Sequence, residues 1–349
     1  MALQFESLER LMEALRNGQI PQIQLTAFTS SYIYGIGTSL LLLMEISMTN
    51  RKLIRKDHLR HGLIFQGNLR VAICDVTDSV KVAQSKHNLD PLSTIALGRM
   101  FAGAALMGSG LKNEDAFLQI RFDGNGPLGG LVAEHISPHY LRGFAANPRL
   151  DQVLEQGQEL PQSIGEAVGK GNFHIKIGRK NFSEAYHGIC EIKSGEIAED
   201  LASYYLESEQ IPSLVSAGVQ LDQKGQILAA GGLLIQKVGG GEISDDLLES
   251  LEQKIQQNPM TQLLAHGEKT TSILAEITGL TMEEVTLHCK PLSFQCFCSR
   301  KRMAEALQSL GELEIHRIAA KSGTISTHCH FCTCDYVFTK EELLKVGRH

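Results

Sequence analysis

Hydrophobic positions between about residues 60 and 240 follow the two-residue period of β-strands, and glycine-rich polar turns separate the runs. Paired runs around a polar turn are typical of antiparallel hairpins. Three hairpins are predicted, at 63–65 with 69–73, at 117–122 with a second strand ending near 133, and at 173–177 with 186–192. The segment 91–108 opens with a proline and carries one charge, so it is predicted to be a largely buried helix. These elements predict an α+β core with extensive antiparallel sheet and packed helices.

The pattern changes to the helical period after the glycines at 239–241. An amphipathic helix is predicted over 245–257, and shorter apolar pieces follow at 260–264, 273–277 and 282–287. Short helices are marginal in water and owe their stability to packing. We therefore expect a metastable helical linker that is ordered only while it is docked on its neighbours. A plain helical subdomain is the alternative interpretation, and the period alone favours it.

The composition narrows the possible partners. The 349-residue chain is 43% hydrophobic and 21% charged, which is typical of a globular protein with two or three domains. Its formal net charge of −6 offers little to a phosphate backbone, and the absence of tryptophan leaves few stacking platforms for bases. The Gly124-x-Gly126-x-x-Gly129 motif does not indicate a dinucleotide site, because Pro127 and the apolar run after it favour a turn into a strand. The sequence has no Walker-type lysine motif, so no ATP-binding site is predicted.

Residues 1–47 differ from the rest because no charged side chain occurs between Arg16 and Glu45. Serine, threonine and glycine interrupt the apolar stretch, so it falls short of the roughly 20 consecutive, predominantly apolar residues that a membrane span needs. Carboxylates near the start also disfavour a secretory signal or an organellar transit peptide. Since Met48 begins a more ordinary sequence, the favoured explanation is an upstream start codon that adds a dispensable extension. A membrane anchor or targeting segment and a docking helix are the alternatives.

Four of the eight cysteines form two short pairs near the C-terminus, Cys296-x-Cys298 and Cys329-x-x-Cys332. Two such pairs supply the four thiolates of a closed tetrahedral zinc site, with each sulfur about 2.3 Å from the metal. Most sites of this kind are purely structural, and that interpretation stays open. A disulfide framework fits less well, because the chain has no clear secretory signal and is long enough to fold without covalent staples. A thioredoxin-like site is not indicated, because the second pair lacks a βαβ context.

Oxidation of such a site is incompatible with metal binding. Two ligands in a tetrahedral zinc site lie roughly 3.8 Å apart, whereas a disulfide requires about 2.05 Å. Disulfide formation therefore expels the metal, which contributes about 10 to 16 kcal/mol to small folded modules. The segment around the cysteines has few apolar residues for a core of its own, so losing zinc is expected to unfold it. The four cysteines can in this way act as a redox-triggered latch.

Further motifs carry a family resemblance. They are Ala96-Leu97-Gly98-Arg99, Asp123-Gly124-x-Gly126-Pro127-Leu128-Gly129, Tyr204-Tyr205-x-x-Ser208-Glu209-Gln210-x-Pro212, Ala229-Ala230-Gly231-Gly232, Phe294-x-Cys296-x-Cys298-Ser299-Arg300, and Cys329-x-Phe331-Cys332 with Tyr336-x-Phe338. With these motifs in this order, the chain resembles the redox-regulated holdase chaperones of the 33-kilodalton heat-shock protein family from about Met48 to Lys345.

The resemblance implies site residues and a function. It implies that one zinc ion per chain is held in the reduced, inactive protein by the metal ligands Cys296, Cys298, Cys329 and Cys332. Within the family, oxidation joins Cys296 with Cys298 and Cys329 with Cys332, although spacing alone permits three pairings of four cysteines. Zinc is then released, the linker unfolds, and the protein, which dimerises on activation, holds unfolding client proteins under oxidative stress without ATP. No enzymatic activity, nucleic-acid partner or membrane partner is expected, and the expected location is the cytoplasm.

On this interpretation the chain divides into four parts. They are an N-terminal extension at 1–47, a chaperone core domain at 48–239, a redox-sensitive helical linker at 240–290, and a small zinc-binding redox-switch domain at 291–349. The extension has no counterpart in the usual family pattern, and whether it belongs to the mature protein is left open.

Cys334 is a second departure, since it adds a fifth thiol where the family usually has another residue type. It allows ligand exchange or an alternative disulfide, so it competes with Cys332 for the fourth ligand position. His328 and His330 flank the third ligand and are interpreted as bystanders, because four thiols are already available. The remaining thiols are interpreted as buried or incidental, and they are Cys74, Cys190 and Cys289.

Two other classes of zinc protein fit less well. A hydrolase or deaminase needs an open coordination position with a glutamate beside it, and the paired His-x-Glu and Pro-Cys-x-x-Cys motif is absent from the sequence. A structural zinc ribbon that binds nucleic acid is the stronger alternative, because Arg300, Lys301 and Arg302 follow the first cysteine pair. Compensation of nearby thiolate charge explains these cations equally well.

Overall fold

The structure, a computed structural model, describes residues 57–154, 158–180, 185–238, 243–281, 283–285, 287–320 and 322–345. These residues form an α+β fold with antiparallel sheets, as the hydrophobic pattern predicts. The N-terminal extension, on which the start-codon, targeting and docking-helix interpretations rest, lies outside the described residues. The four-part domain division stays a prediction.

The strands of the described residues build three sheets. They are β1 (His58–Ile64), β2 (Leu69–Asp75), β3 (Ala116–Gly124), β4 (Leu131–Ile136), β5 (Tyr140–Ala145), β6 (Gly171–Arg179), β7 (Ala185–Glu191), β8 (Ser213–Leu221), β9 (Ile227–Lys237), β10 (His288–Pro291), β11 (Ser293–Phe294), β12 (Thr324–His328) and β13 (Asp335–Thr339). One sheet has the order β10-β1-β2-β9-β8, the second has β11-β5-β4-β3-β6-β7, and β12-β13 is a separate hairpin. The three predicted hairpins are confirmed as β1-β2, β3-β4 and β6-β7.

Helices pack on both large sheets and build the C-terminal part. They are α1 (Thr77–His87), α2 (Pro91–Gly108), α3 (Ile164–Val168), α4 (Ala198–Glu207), α5 (Asp245–Gln257), α6 (Met260–Ala265), α7 (Thr270–Thr278), α8 (Arg300–Gln308), α9 (Glu312–Ala319) and α10 (Lys340–Lys345). Among the residues that the structure describes, no helix combines the length and the apolar character that crossing a membrane requires.

Helix α2 is the centre of the main core, because it packs against strands of both large sheets. Asp90 caps its start: one carboxylate oxygen accepts the N–H of Ser93 at 2.7 Å, and the other accepts the N–H of Leu150 at 2.7 Å. Nearly all side chains of α2 are buried, and its single charged residue, Arg99, pairs with Glu196. The predicted buried helix is therefore confirmed.

Helices α5, α6 and α7 cover the face of the five-stranded sheet that points away from α2. Leu251, Leu264 and Ile273 from these helices join Val71 and Ile73 of β2 in one apolar cluster, whereas the alternate β2 residues belong to the main core. The helices span only 13, 6 and 9 residues, so most of their stability comes from this packing. Three of the four predicted linker pieces are helical.

The fourth predicted linker piece, 282–287, is wrong as a helix. In its described part, residues 283–285 and 287, the chain makes one turn and then extends. The Glu284 carboxylate accepts the N–H of Thr281 at 2.8 Å, and the N–H of Val285 donates to the Thr281 carbonyl at 3.2 Å. Pairing of the following residues with β1 takes the place of a helix here.

The chain leaves the linker as an extended segment, residues 288–295, which we call the strap. Within it, β10 pairs antiparallel with β1, and β11 pairs parallel with β5. The strap is therefore an edge strand of both large sheets. The hydrophobic pattern did not predict it, because strands of four and two residues are too short to show a period.

The C-terminal residues form a small unit, which we call the cysteine module: residues 296–345, with α8, α9, the β12-β13 hairpin and α10. Its apolar cluster is small, and the buried members are Ala304, Ile315, Ala319, Ile325, Phe338 and Leu343. A core of this size is typical of modules that need a metal or disulfides.

Candidate metal centre

The four paired cysteines converge in the cysteine module. Cys296 Sγ lies 3.6 Å from Cys329 Sγ, and Cys298 Sγ lies 3.3 Å from Cys332 Sγ. All four sulfurs lie within 4.8 Å of one another, and all four are free thiols. The second pair is buried and the first pair is half-buried, so the cluster is closed on one side by protein. The four residues singled out by spacing are thus brought together.

Two short loops present the thiols. The first pair lies in the loop between β11 and α8, and the second pair lies in the turn between β12 and β13. The turn is closed by the N–H of Cys329, which donates to the Cys334 carbonyl at 3.0 Å, and by the N–H of Thr333, which donates to the Cys329 carbonyl at 2.8 Å. Thr333 has a positive φ of 59° there, a conformation that most L-residues avoid. In the folded module the backbone therefore fixes the positions of the second pair.

Hydrogen bonds to sulfur set the electrostatics of the cluster. The N–H of Cys298 donates to the Cys296 sulfur, and the N–H of Cys334 donates to the Cys332 sulfur. The Tyr336 hydroxyl donates to Cys298 Sγ at 3.1 Å. Burial pulls the pKa of Cys298 upward, but bonds from Tyr336 and the neighbouring thiols lower that pKa to about 7. Burial raises the pKa values of Cys296 and Cys332.

The donor set fits a thiolate-bound metal ion. The sulfur separations of 3.3 and 3.6 Å are close to the roughly 3.8 Å of a tetrahedral zinc site. N–H groups aimed at Cys296 and Cys332 stabilise negative sulfur, which a metal ligand must be. The cluster is therefore positioned to hold a metal ion through four sulfurs.

The neighbouring candidates lie outside the four-sulfur group. Cys334 is exposed; its backbone closes the turn, and its thiol hydrogen-bonds with the thiol of Cys332 without joining the four-sulfur group. The rings of His328 and His330 contact each other at 4.6 Å, and His330 also stacks on Phe144 of β5 at 5.3 Å. Among the described residues, the four thiols alone form a cluster of metal-ligating side chains. Cys74 is buried, Cys190 is half-buried and Cys289 is exposed, all away from the cluster.

The basic residues after the first pair are used within the module. Arg300 donates to the Val337 carbonyl at 2.9 Å and pairs with Glu342 at 3.0 Å. Arg302 donates to the Phe297 carbonyl at 2.9 Å. Lys301 lies 3.9 Å from Glu305, so each of the three cations has a partner within the module, although all three residues are exposed.

Aromatic side chains hold the cysteine module against β5, a contact that sequence reasoning missed. Phe331 lies with its ring 5.3 Å from that of Phe144, and the Arg142 guanidinium lies 4.0 Å from the Phe331 ring centre. Phe297 contacts Tyr140 edge to face at 5.3 Å. In the sequence Phe331 stands out only as part of a motif, and its partners are nearly 200 residues away along the chain. Only the tertiary fold reveals such a contact.

Two hydrogen bonds extend the same contact to helix α1. The Phe331 carbonyl lies 3.2 Å from His87 Nε2, and the Thr333 hydroxyl donates to the Lys86 carbonyl at 3.1 Å. The turn that carries Cys329 and Cys332 is thus itself the docking surface.

Comparisons with known proteins agree with this geometry. The family model described as "Hsp33 protein" matches residues 57–339. The "33 kDa chaperonin" of Desulforamulus reducens is 37% identical over 295 residues, which cover 83% of this chain and 97% of the relative. The protein of the same name from Bacillus subtilis is 33% identical over 82% of this chain and 97% of its own length.

A solved structure is similar as well. The crystal structure of the 33 kDa chaperonin (heat shock protein 33 homolog) of Thermotoga maritima matches with a TM-score of 0.73 and 29% sequence identity, covering 84% of this chain and 98% of that one. The sequence motifs, the antiparallel core and the four-cysteine cluster all accord with the family match. The chain belongs to the Hsp33 family of chaperones.

Proposed function

We propose that this chain is a redox-regulated holdase chaperone that works without ATP and is not an enzyme. The observation that carries the proposal is the convergence of Cys296, Cys298, Cys329 and Cys332, with all four sulfurs within 4.8 Å of one another. The reduced protein holds one Zn²⁺ on these sulfurs and is inactive. Four thiolates in a closed site favour zinc over hard cations such as Mg²⁺, which prefer oxygen ligands.

Oxidation removes the ligands in pairs. When two thiolates react with one hydrogen peroxide, they give up two electrons to form one S–S bond, and the peroxide takes up two protons to leave as two waters. Two peroxides convert all four sulfurs and leave no thiolate for the metal. We propose bridges between Cys296 and Cys298 and between Cys329 and Cys332, as the resemblance implies. The sulfur separations of 3.3 and 3.6 Å each join a cysteine of the first pair to one of the second, so peptide mapping of the oxidised protein is the measurement that distinguishes the pairings.

Loss of the metal acts on the rest of the molecule through three steps. The cysteine module has a small apolar cluster of its own, so it unfolds without zinc. The aromatic contacts of Phe331 with β5 are then lost, together with the bonds to α1. The strap and the helices α5 to α7 lose their anchor at one end, and short helices of this kind do not persist undocked.

The clients are unfolding proteins. Release of α5 to α7 uncovers an apolar sheet face that contains Val71, Ile73 and Leu233. A face of this kind binds apolar segments of unfolding chains, and no nucleotide is needed for such binding. We further propose that the oxidised protein dimerises and that it works in the cytoplasm, both on the resemblance.

One coupled experiment tests the proposal. The reduced protein is treated with peroxide at mild heat while zinc is followed with a chromogenic chelator and client aggregation is followed by light scattering. One zinc per chain is expected to be released, and suppression of aggregation is expected to begin with it. Cys289→Ser is the matched control, because this exposed thiol lies outside the cluster and its loss should change neither signal. Equal suppression before and after oxidation, with zinc retained, contradicts the proposal.

A further inference from the structure

The strap is held by backbone hydrogen bonds along the edges of both large sheets. The N–H of Leu292 donates to the Asp57 carbonyl at 2.8 Å. The N–H groups of Ser293 and Gln295 donate to the carbonyls of His139 and Leu141, each at 2.9 Å. Residues 288–291 pair with β1 in the antiparallel direction. The strap therefore makes the contacts of an added strand over its full length.

From Leu292 to Gln295 the side chains of the strap alternate between core and solvent. Leu292 is only 5% exposed and belongs to the main apolar core. Phe294 packs on the same core, with its ring 6.3 Å from that of Phe101 in α2. Ser293 and Gln295 are exposed. The backbone supplies most of the polar contacts here, and two apolar side chains at positions i and i+2 supply the anchoring.

Removal of the strap leaves a surface with a defined chemistry. Carbonyls of Asp57, His139 and Leu141 lose their donors, and the places of Leu292 and Phe294 beside the core are left open. An unpaired sheet edge next to apolar hollows is a ready site for another extended chain. Gln295 directly precedes the first cysteine of the metal cluster, so unfolding of the cysteine module frees the strap first.

We propose that the strap occupies a client-binding site, and that the activated protein binds clients there by strand addition to β1 and β5. The partner is an extended segment of an unfolding protein with apolar side chains two residues apart, which take the places of Leu292 and Phe294. Segments of this pattern occur in every chain that forms β-sheet, so the site is broad in its clients. The inference rests on the proposed function and names how that function selects its partners.

A labelled peptide with the sequence of residues 288–295, carrying Cys289→Ser to prevent disulfide exchange, tests the proposal. It is expected to bind the peroxide-treated full-length protein at least tenfold more tightly than the reduced, zinc-loaded protein, measured by fluorescence anisotropy. It is also expected to compete with an unfolding client in the light-scattering assay.

Backbone methylation separates strand addition from simple apolar binding. N-methyl groups at the peptide positions of Ser293 and Gln295 remove the two N–H groups that bond β5, and they are expected to weaken binding at least tenfold. An N-methyl group at the position of Phe294 is the matched control, since the parallel ladder to β5 uses the N–H groups of alternate residues. Equal weakening by both peptides overturns strand addition.

A pair of full-chain variants provides an independent measurement. Ser293→Pro removes the N–H that bonds the His139 carbonyl, whereas Ser293→Ala keeps that N–H and changes only an exposed side chain. Reduced Ser293→Pro is expected to bind the peptide at least tenfold more tightly than reduced Ser293→Ala. If the oxidised protein suppresses aggregation but binds no peptide, the strap inference is wrong and the holdase proposal stands. If the peptide binds but no suppression occurs, the holdase proposal fails and the edge is a peptide site alone.

Discussion

Two buried titratable side chains, His135 and Asp57, give the core opposite responses to pH. His135 on β4 is 1% exposed, and burial, aided by the positive charges of Lys290 and His139, lowers its pKa to about 4. Asp57 is 2% exposed, and burial raises its pKa to about 7 against hydrogen bonds from the backbone N–H groups of Asp78 and Ser79. Each group therefore prefers its neutral form in the folded protein.

The direction of each effect follows from the unfolded pKa values. An unfolded histidine titrates at about pH 6.5. Between pH 6.5 and 4 the unfolded chain therefore binds a proton at this position that folded His135 does not bind, so the free energy of unfolding falls as the pH falls. An unfolded aspartate titrates at about 3.9, so between pH 4 and 7 folded Asp57 keeps a proton that the unfolded chain loses, and stability falls with rising pH. Over the shared window the two contributions oppose each other.

Replacing His135 should expose this balance. His135→Leu removes the titrating group and the ring Nδ1, which is buried without a hydrogen-bond partner among the described residues. The variant is expected to lose less stability than the parent between pH 6.5 and 4.5, by on the order of 2 to 3 kcal/mol. Urea unfolding of the reduced protein, followed by tyrosine fluorescence because the chain has no tryptophan, measures the difference. His187→Leu on the solvent side of β7 is the control, and a parallel pH profile for parent and His135→Leu contradicts the assignment.

Much of the site could be predicted at this scale, because two short cysteine pairs identify a thiolate cluster from spacing alone. Tyr336 could not be, since a tyrosine in a short hairpin strand is ordinary and its bond to Cys298 depends on how two loops meet. The same holds for Phe331 and Arg142, which are far apart in sequence and 4.0 Å apart in space. Spacing in the sequence identifies functional groups that are close along the chain, but it does not predict contacts between residues that only the fold brings together.

Among the elements, linker helix α5 is held by the fewest buried side chains for its length. Leu251 is the one fully buried residue of α5, and the Ser244 hydroxyl caps the helix by accepting the N–H of Leu247 at 3.3 Å. A helix of 13 residues with one buried anchor is near the limit of independent stability. Helix α5 is therefore the part of the linker that is most dependent on support from its neighbours.

Shortening that anchor should loosen the linker without oxidation. Leu251→Ala is expected to cost about 3 kcal/mol of local stability, through lost burial and the cavity that remains. Protection of amides in residues 243–278 of the reduced, zinc-loaded protein should fall by roughly a hundredfold in hydrogen exchange. Gln253→Ala on the exposed face of α5 is the control and should leave the exchange unchanged. Equal exchange in both variants means that α5 is stabilised by contacts other than Leu251.

Prediction from sequence worked for elements whose partners are adjacent in the chain. The hairpins β1-β2, β3-β4 and β6-β7 and the buried helix α2 were all recognised from local periodicity. The strap was not, and residues 282–287 were assigned to a helix. Pairing with β1, some 230 residues earlier, makes the strap a strand, and no local pattern carries that information.

Across the whole molecule, the four-sulfur cluster contacts the core through the docking of one turn, and on the proposed function this turn transmits the effect of oxidation. The turn with Cys329 and Cys332 contacts β5 through Phe331 and His330 and contacts α1 through two hydrogen bonds. The strap then continues from the first cysteine pair along both sheets. The docked turn thus lies between the cysteine cluster and the strap, which leads to the linker. Weakening the docking is therefore expected to affect both the cluster and the strap.

Phe144→Ala weakens the docking contact by changing β5 alone, without altering any residue of the cysteine module. The Phe144 ring contacts His330 and Phe331, both at 5.3 Å, so its removal is expected to weaken docking by about 2 kcal/mol. Zinc content of the reduced protein should be unchanged, because the four sulfurs keep their own hydrogen bonds within the module.

At a fixed peroxide concentration, zinc should leave Phe144→Ala several-fold faster than it leaves the parent, since the buried thiols of Cys329 and Cys332 are shielded by the docked turn. Ile189→Ala provides the comparison, because it removes an apolar side chain that is 65% exposed on β7, at the opposite edge of the same sheet. Chelator-detected zinc release and hydrogen exchange of residues 287–295 are measured on the same samples. Faster hydrogen exchange of the strap together with faster zinc release would mean that the docked turn couples the metal site to the linker. Faster release with an unchanged strap would mean that the turn protects the thiols but transmits nothing to the sheets.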